Sequence, residues 1–364
     1  MLIPISSMGI ISIYKIEYQG ESMNKNKLLQ ETIQHVDATT FDSTPIIHAM
    51  GKMSFSSRDT ARAADIFKRM IEQKGCTTAL VLAGSTSAGG CMKVYADMIR
   101  YNMIDMVVAT GASIVDMDFF EALGFKHYKG TPFIDDTMLR KNYVDRIYDT
   151  FIDEKELQNC DSAIKNIADA LEPRPYSSRE FIYEMGKWLT KHSKKKESLV
   201  QLAFEHNVPI FCPAFSDSSA GFGLVKHQHE RIKVGKSHLS IDSVKDFYEL
   251  TQIKMAAKTS GLFMIGGGVP KNFIQDTVVC AEVLGVDVPM HQYAVQITVA
   301  DVRDGACSSS TLREASSWGK VDTVFEQMVY AEATTVVPLI FSYLYHNADW
   351  RKRKKYEWTK LFQK

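Results

Sequence analysis

The sequence of 364 residues predicts an α/β fold in which a parallel sheet is flanked by helices. One observation is an apolar run over 77–83 that leads through a small-residue loop into a helical pattern over 92–101. A second is the repeat of this arrangement, in which the apolar run 106–109 leads through a short loop into residues 116–125. Strand, small-residue loop and helix, twice in succession, are typical of a parallel sheet.

The rest of the chain supplies further helices and strands. Residues 60–73 repeat apolar side chains at helical spacing and stop before Gly75, so they predict a helix. Residues 126–205 are more polar, and we expect them to be mostly helical, with one helix starting near Arg179. Three other short apolar runs predict more strands of the parallel sheet: 209–213, 262–265 and 293–299.

The two ends of the chain differ from its centre. Residues 1–22 are mildly apolar without a clear cleavage site, and Met23 opens a second plausible start, so we expect a disordered or upstream extension there. Residues 23–350 are expected to form a single domain. Residues 351–364 form a basic tail, which we interpret as a solvated run rather than a nucleic-acid contact.

Composition limits the classes of function. Lys plus Arg and Asp plus Glu both total 43, so no net charge attracts nucleic acid or an anionic membrane, and a small-molecule partner is favoured. The six cysteines form no CxxC pair, which predicts reduced thiols in the cytoplasm rather than disulfides or a zinc site. His227 and His229 are expected on an exposed loop, and no metal is expected.

Small residues follow three of the predicted strands, at 84–90, 110–113 and 266–268. Such loops let the backbone approach a phosphate closely, as a dinucleotide requires. None is a complete fingerprint, and each alone is also an ordinary turn. Acidic residues follow strands as well: Asp116, Asp118, Asp217, Asp301 and Asp304. They could be ligands for ribose hydroxyls and amines, or they could cap helices and form turns.

The heptad at 314–320, EASSWGK, places Lys320 directly behind a Trp-Gly step. A lysine that loses hydration in an apolar pocket can become a free amine and form a Schiff base with a carbonyl or imine carbon. The alternative is a surface lysine whose stem lies over Trp318.

Together these segments resemble the deoxyhypusine synthase family, over roughly residues 45–345. The resemblance rests on GSTS, PAFSDSSAG, GGGVPKN, DVRDG, EASSWGK and YAEAT, and the longer context is most similar to the bacterial deoxyhypusine synthase-like branch. It implies a Rossmann-like parallel sheet that binds NAD, and a homotetramer built from dimers that share their NAD sites. It also implies oxidation of spermidine at its secondary amine, capture of the aminobutyl group by a lysine, and transfer to an acceptor amine.

The resemblance assigns roles to individual residues. Lys320 is the catalytic, covalent lysine. The substrate-binding residues are Trp318, Glu314, Asn272, Gly305 and Gln296. The cofactor-binding residues are Thr86, Ser87, Ala112, Asp217, Gly267, Ala300, Asp304, Glu332 and Ala333.

The chain departs from the eukaryotic members where they bind polyamine ammonium groups. Phe222 and Cys307 stand where those enzymes have acidic residues, Asn272 replaces a histidine, and Met117 replaces a glutamate, for which Asp116 or Asp118 could serve. Because a buried ammonium needs a carboxylate, these changes predict a different amine or pose.

We therefore expect an NAD-dependent aminobutyl transferase of polyamine metabolism, with a small amine such as putrescine as acceptor and a homospermidine-like product. The alternatives are true deoxyhypusine synthase activity on a lysine of an initiation factor, a non-catalytic regulatory homologue, and hydrolysis of an amidino amine such as agmatine.

Overall fold

The computed structural model describes residues 24–195, 197–306 and 310–362. The strands, numbered along the chain, are β1 Cys76–Leu82, β2 Met106–Ala109, β3 His127–Lys129, β4 Val144–Ile147, β5 Thr150–Asp153, β6 Pro175–Tyr176, β7 Ile210–Phe211, β8 Ser240–Ile241, β9 Thr259–Ile265, β10 His291–Thr298 and β11 Val321–Tyr330. Six of them form one sheet in the order β11-β10-β9-β1-β2-β7, and every pair in it is parallel. The predicted α/β fold is confirmed.

Helices surround this sheet. They are α1 Lys25–Leu28, α2 Thr44–Met50, α3 Phe55–Glu72, α4 Met92–Arg100, α5 Phe120–Ala122, α6 Asp136–Lys141, α7 Glu154–Ala170, α8 Ser178–His192, α9 Leu199–His206, α10 Ser219–Lys233, α11 Ser243–Ala256, α12 Gly268–Gln275, α13 Thr277–Val283, α14 Leu312–Ser317 and α15 Ala333–Asn347. Wider π-helical turns lie at Ser87–Cys91 and Ala112–Phe119, and 3₁₀ turns at Trp350–Lys352 and Trp358–Phe362. Within the described ranges, no helix is both long and apolar enough to cross a membrane.

Along each strand, side chains alternate between the two faces of the sheet, and both faces are buried. Leu80 and Leu82 of β1 join a core cluster with Phe67 of α3, whereas Val81 joins a second cluster with Leu250 of α11. The ring of Phe67 stacks on that of Phe263 in β9 at 4.4 Å between centroids. Apolar residues therefore occupy consecutive positions in the central strands, which is the pattern that identified them in the sequence.

The segment 126–205 differs from its prediction. It contains helices, but His127–Lys129 and the next two strands form a three-stranded antiparallel sheet in the order β3-β5-β4. Side chains of β4 are only partly covered, so this small sheet lacks the apolar runs of the central strands. The prediction of a mostly helical segment was wrong for residues 127–153.

His227 does not lie on a loop. It is buried within α10, and its Nδ1 lies 2.7 Å from a carboxylate oxygen of Asp169 in α7. The expected exposed loop was therefore wrong, because the His-Gln-His sequence continues an amphipathic helix rather than ending it.

The basic tail is partly built into the core. The side chain of Arg353 is 4% exposed and pairs with the buried Asp105, with Nη1 2.9 Å from Oδ1. It also donates to the carbonyl oxygens of Cys76 and Asn102. Four neighbouring basic residues are exposed, as the sequence suggested: Arg351, Lys352, Lys354 and Lys355. The tail thus contributes one buried cation that holds it against the amino end of β1.

Candidate functional site

The predicted cofactor-binding residues all follow the carboxyl ends of sheet strands. Thr86 and Ser87 follow β1, Ala112 follows β2, and Asp217 follows β7. The others follow the remaining three strands of the sheet: Gly267 after β9, Ala300 and Asp304 after β10, and Glu332 and Ala333 after β11. Parallel strands of one sheet end at a common edge, where α/β proteins bind their ligands.

The loop after β9 is shaped by glycine. Gly266 has φ +73°, a conformation that disfavours a side chain, and an added Cβ would lie 3.2 Å from the carbonyl oxygen of Ala83. Helix α12 begins at Gly268 directly behind this turn, so backbone N–H groups of its first turn face the same edge. This arrangement leaves room for a phosphate group against the backbone.

Hydrogen bonds hold the first two small-residue loops together and tie the third to β10. Ser113 Oγ donates to the carbonyl oxygen of Gly84 at 2.8 Å, and the hydroxyls of Thr86 and Tyr95 lie 2.7 Å apart. Gln296, predicted to bind substrate, is buried in β10, where its Nε2 donates to the carbonyl oxygen of Gly266 at 3.0 Å. The structure thus places Gln296 behind the glycine loop and outside the lining of the lysine cavity described below.

Glu332 provides a carboxylate at this edge. It caps α15 by accepting hydrogen bonds from the backbone N–H groups of Thr334 and Thr335, at 3.0 and 3.2 Å. Partial burial raises the pKa of Glu332, but the hydrogen bonds from Thr334 and Thr335 outweigh it and lower the pKa overall. The group is ionised at neutral pH and suits ribose hydroxyls. Asp217, which follows β7, and Asp304, which follows β10, are both exposed.

Lys320 is positioned by the two ends of a short helix. At the start of α14, Thr311 and Glu314 form a capping box, with Glu314 N–H donating to Thr311 Oγ1 at 3.0 Å. At its end, Gly319 has φ +72° and donates its N–H to the carbonyl oxygen of Ser316, while Lys320 N–H donates to that of Ala315. This is a Schellman motif, so the glycine behind Trp318 turns the chain and sets the direction of Lys320.

Lys320 lines a cavity of about 720 Å³. Its Nζ lies 5.3 Å from the centroid of the Trp318 ring and 3.3 Å from Asn272 Oδ1. Glu314 and Gly305 line the same cavity. The structure therefore brings Lys320 together with four of the five predicted substrate-binding residues.

Asp276 is the residue of this site that the sequence reasoning missed. Its Oδ1 lies 2.5 Å from Lys320 Nζ, and its Oδ2 accepts a hydrogen bond from Asn272 Nδ2 at 2.8 Å. It lies at the junction of α12 and α13, four residues after Asn272, which places both side chains on one face. That spacing behind GGGVPKN was the one sequence signal for it.

The acidic residues considered as substitutes for the glutamate at Met117 have structural roles. Asp118 is fully buried and accepts hydrogen bonds from the N–H groups of Leu199 and Val200 at the start of α9, at 2.7 and 2.9 Å. Asp116 accepts from Ser219 N–H at 2.7 Å, and burial raises the pKa of Asp116 to about 6. Neither lines the cavity of Lys320.

Phe222 and Cys307 occupy two positions at which the chain lacks an acidic residue of the eukaryotic members. Phe222 is 66% exposed on α10 and does not line the lysine cavity. Cys307 lies outside the described residues. The cavity carboxylates Asp276 and Glu314 are therefore the described acidic groups nearest to Lys320 in this lining.

Lys320 and Glu332 lie at opposite ends of β11. Lys320 immediately precedes this strand, and Glu332 follows it after one residue. At about 3.3 Å per residue, the ten residues of β11 separate the two backbones by on the order of 30 Å.

Comparisons with known proteins identify the family to which the chain is similar. A protein-family profile described as "DS: Deoxyhypusine synthase" matches residues 45–344. The chain is 68% identical over 341 residues to a deoxyhypusine synthase-like protein of Caulobacter vibrioides, covering 93% of both chains. It is 39% identical over 319 residues to the "Probable deoxyhypusine synthase 2" of Methanosarcina mazei, covering 87% of this chain and 91% of that one.

A solved structure shows the same fold. It is that of an Entamoeba histolytica protein described as a candidate deoxyhypusine synthase, with a TM-score of 0.59 and 17% identity. The match covers 90% of this chain and 99% of that one.

Proposed function

The chain belongs to the deoxyhypusine synthase family, and from that premise we propose that it is an NAD-dependent aminobutyl transferase that works through Lys320. We propose a spermidine-like donor, a small acceptor amine such as putrescine, and a homospermidine-like product. The observation behind this proposal is that Lys320 lines a cavity with Trp318, Asn272 and Glu314, three of the residues expected to hold the amine. Family membership supports a transferase, and the cavity supports an amine as its substrate.

The residues at the carboxyl edge fit NAD. The turn at Gly266 leaves little space for a Cβ, the first turn of α12 offers N–H groups for the pyrophosphate, and Glu332 offers an ionised carboxylate for a ribose. When bound, NAD would supply hydride transfer, accepting a hydride from the carbon beside the donor's secondary amine and returning it at the end.

The chain's own residues then carry the aminobutyl group. Lys320 Nζ, as a free amine, attacks the imine carbon of the oxidised donor. A carbon–nitrogen bond to Lys320 forms, the bond to the leaving amine breaks, and that amine departs with a proton. The acceptor amine later displaces Lys320 by the same exchange. Trp318 covers one side of Lys320 Nζ and limits its access to water.

We also propose that the working unit is an assembly in which copies share their sites, within a homotetramer. The separation of Lys320 from Glu332 by the length of β11 supports this arrangement. Transfer of a hydride and attack by the lysine require reacting atoms about 3–3.5 Å apart. A second copy whose carboxyl edge faces the lysine cavity would bring them together.

A cytoplasmic location is part of the same proposal. The six cysteines of the sequence form no CxxC pair, which favours reduced thiols in a reducing compartment.

Borohydride trapping tests the proposal directly. The protein is incubated with NAD and spermidine, reduced, digested and mapped by mass spectrometry, and we expect an aminobutyl group on the Lys320 peptide. The reaction without NAD and the Lys320→Arg variant are the controls, and both should lack the adduct. An unmodified Lys320 with every polyamine tested would refute the covalent role.

The acceptor is identified in a second arm. With putrescine added, we expect homospermidine among the products by mass. Incorporation of labelled spermidine into a purified initiation-factor precursor, without transfer to free amines, would instead indicate deoxyhypusine synthase activity.

A further inference from the structure

The lysine cavity carries more negative than positive charge. Its described lining includes three charged side chains, Asp276, Glu314 and Lys320, and the rest is polar or apolar. With all three ionised, the lining has a net charge of −1, and with Lys320 as the neutral amine that charge becomes −2. A ligand with two ammonium groups matches the second state.

In the empty site, the ion pair between Asp276 and Lys320 keeps both groups ionised, so that the net charge of the lining is −1. A separation of 2.5 Å between Asp276 Oδ1 and Lys320 Nζ is a charge-assisted hydrogen bond, and Asn272 holds the other carboxylate oxygen in place. The Lys320 side chain is 12% exposed and that of Asp276 31%, so water screens the pair only partly. An ammonium held by a carboxylate has no lone pair with which to attack an imine carbon.

From this geometry we propose that Asp276 binds an ammonium group of the amine substrate, and that this exchange of partners releases Lys320 as the free amine. The proposal rests on the proposed function and extends it, since it assigns a carboxylate of this chain to an ammonium group of the substrate. The substrate class is then a diamine or polyamine with an ammonium within reach of Asp276.

The exchange balances in atoms and charge. The ammonium of Lys320 loses one proton to the solvent, and its lone pair becomes available for attack. The substrate ammonium keeps its protons and takes the place of Lys320 beside Asp276. Binding of a dication is therefore coupled to the release of one proton.

Other titratable groups lie around the pair. His291 in β10, whose N–H donates to the Lys320 carbonyl oxygen, is fully buried, and burial together with the nearby Lys254 holds its pKa well below the usual value, so it is neutral. Lys271 in α12 is buried and donates to Ser310. Glu314 in α14 belongs to the capping box, and Cys280 in α13 lines the wall.

Proton release on binding tests the proposal. Putrescine is titrated into the protein by calorimetry at pH 7.5, in phosphate and in Tris, and the dependence of the heat on buffer gives the protons released. We expect about one proton for the wild type and close to none for Asp276→Asn, whose affinity should fall at least about fivefold. Asp287→Asn makes the same charge change at an exposed position and should match the wild type.

A second readout needs no amine substrate. In the free protein, reductive methylation of Lys320 with formaldehyde and cyanoborohydride, followed by mass spectrometry, measures the fraction of free amine. We expect Asp276→Asn to be methylated at Lys320 about fivefold faster than the wild type, and Asp287→Asn to be unchanged. Circular dichroism checks that both variants remain folded.

The outcomes separate this proposal from the proposed function. Equal methylation rates in Asp276→Asn and wild type would overturn the ion pair as the control of Lys320, whatever the enzyme transfers. Full proton release in Asp276→Asn would overturn its role in binding. Faster methylation of Asp276→Asn, with no diamine or polyamine bound by the wild type, would support the ion pair while overturning the amine substrate and the proposed function with it.

Discussion

Replacing Arg353 by methionine is expected to destabilise the whole protein, because it leaves a buried carboxylate without its cation. Asp105 is 1% exposed, and its remaining described hydrogen bond comes from Thr78 N–H at 2.7 Å. The variant also removes donors from the carbonyl oxygens of Cys76 and Asn102. Breaking a buried ion pair from one side costs about 3–5 kcal/mol, and we expect Arg353→Met to lower the free energy of unfolding by that amount at pH 8.

The loss should depend on pH in a defined direction. Burial raises the pKa of Asp105, and without Arg353 nothing in the pair opposes that effect. A carboxyl whose pKa is higher in the folded protein than in the unfolded chain favours folding at low pH, and this advantage is lost as the pH rises through the folded-state value. The destabilisation by Arg353→Met should therefore be smaller at pH 5 than at pH 8, by up to about 1.4 kcal/mol for each unit of pKa elevation.

Urea unfolding followed by circular dichroism at fixed protein concentration measures both effects. Lys355→Met, on the exposed part of the same tail, is the control and should change the free energy of unfolding by less than about 0.5 kcal/mol. A loss below about 1 kcal/mol for Arg353→Met at both pH values would refute the view that this residue anchors the tail.

Two further predictions concern the glycine loop. Gly266→Ala places a side chain at φ +73° close to the Ala83 carbonyl oxygen, so NAD should bind at least about tenfold more weakly by fluorescence titration. The control is Gly285→Ala, at φ +75° with open space around it, which should leave NAD binding unchanged. Gln296→Met removes the hydrogen bond to the Gly266 carbonyl oxygen, so NAD affinity should fall about fivefold while putrescine affinity stays the same; the reverse pattern would show that Gln296 contacts the amine.

The carboxyl-edge loops could be predicted from sequence because their signals are local. Apolar runs such as 77–83 must cross a sheet that is covered on both faces, and small residues directly behind them mark the strand ends. The short antiparallel strands at 127–153 gave no such signal, since β4 places charged side chains at partly buried positions and contains no apolar run. Burial of Arg353 was not predictable either, because its partner Asp105 is distant in sequence.

Part of the lysine site could likewise be predicted from the sequence, and part could not. Trp318, Gly319 and Lys320 are contiguous, so their motif was visible, and the Schellman motif explains physically why glycine stands between the other two. Asp276 and Lys320 are far apart in sequence and meet only in the folded chain, where Asp276 Oδ1 lies 2.5 Å from Lys320 Nζ. Contacts between distant segments of the chain therefore supplied the group on which the amine specificity of the site is proposed to depend.

Strand β11 explains why the sequence could not place the two halves of the site relative to each other. It lies at the edge of the sheet and mixes polar with apolar residues and buried with exposed ones, so it lacks the continuous apolar run that marked the central strands. Without that strand, Lys320 and Glu332 would be expected to lie close together in one loop region. With it, they lie at opposite edges of one sheet, and this separation is the basis of the proposal that copies of the chain share their sites.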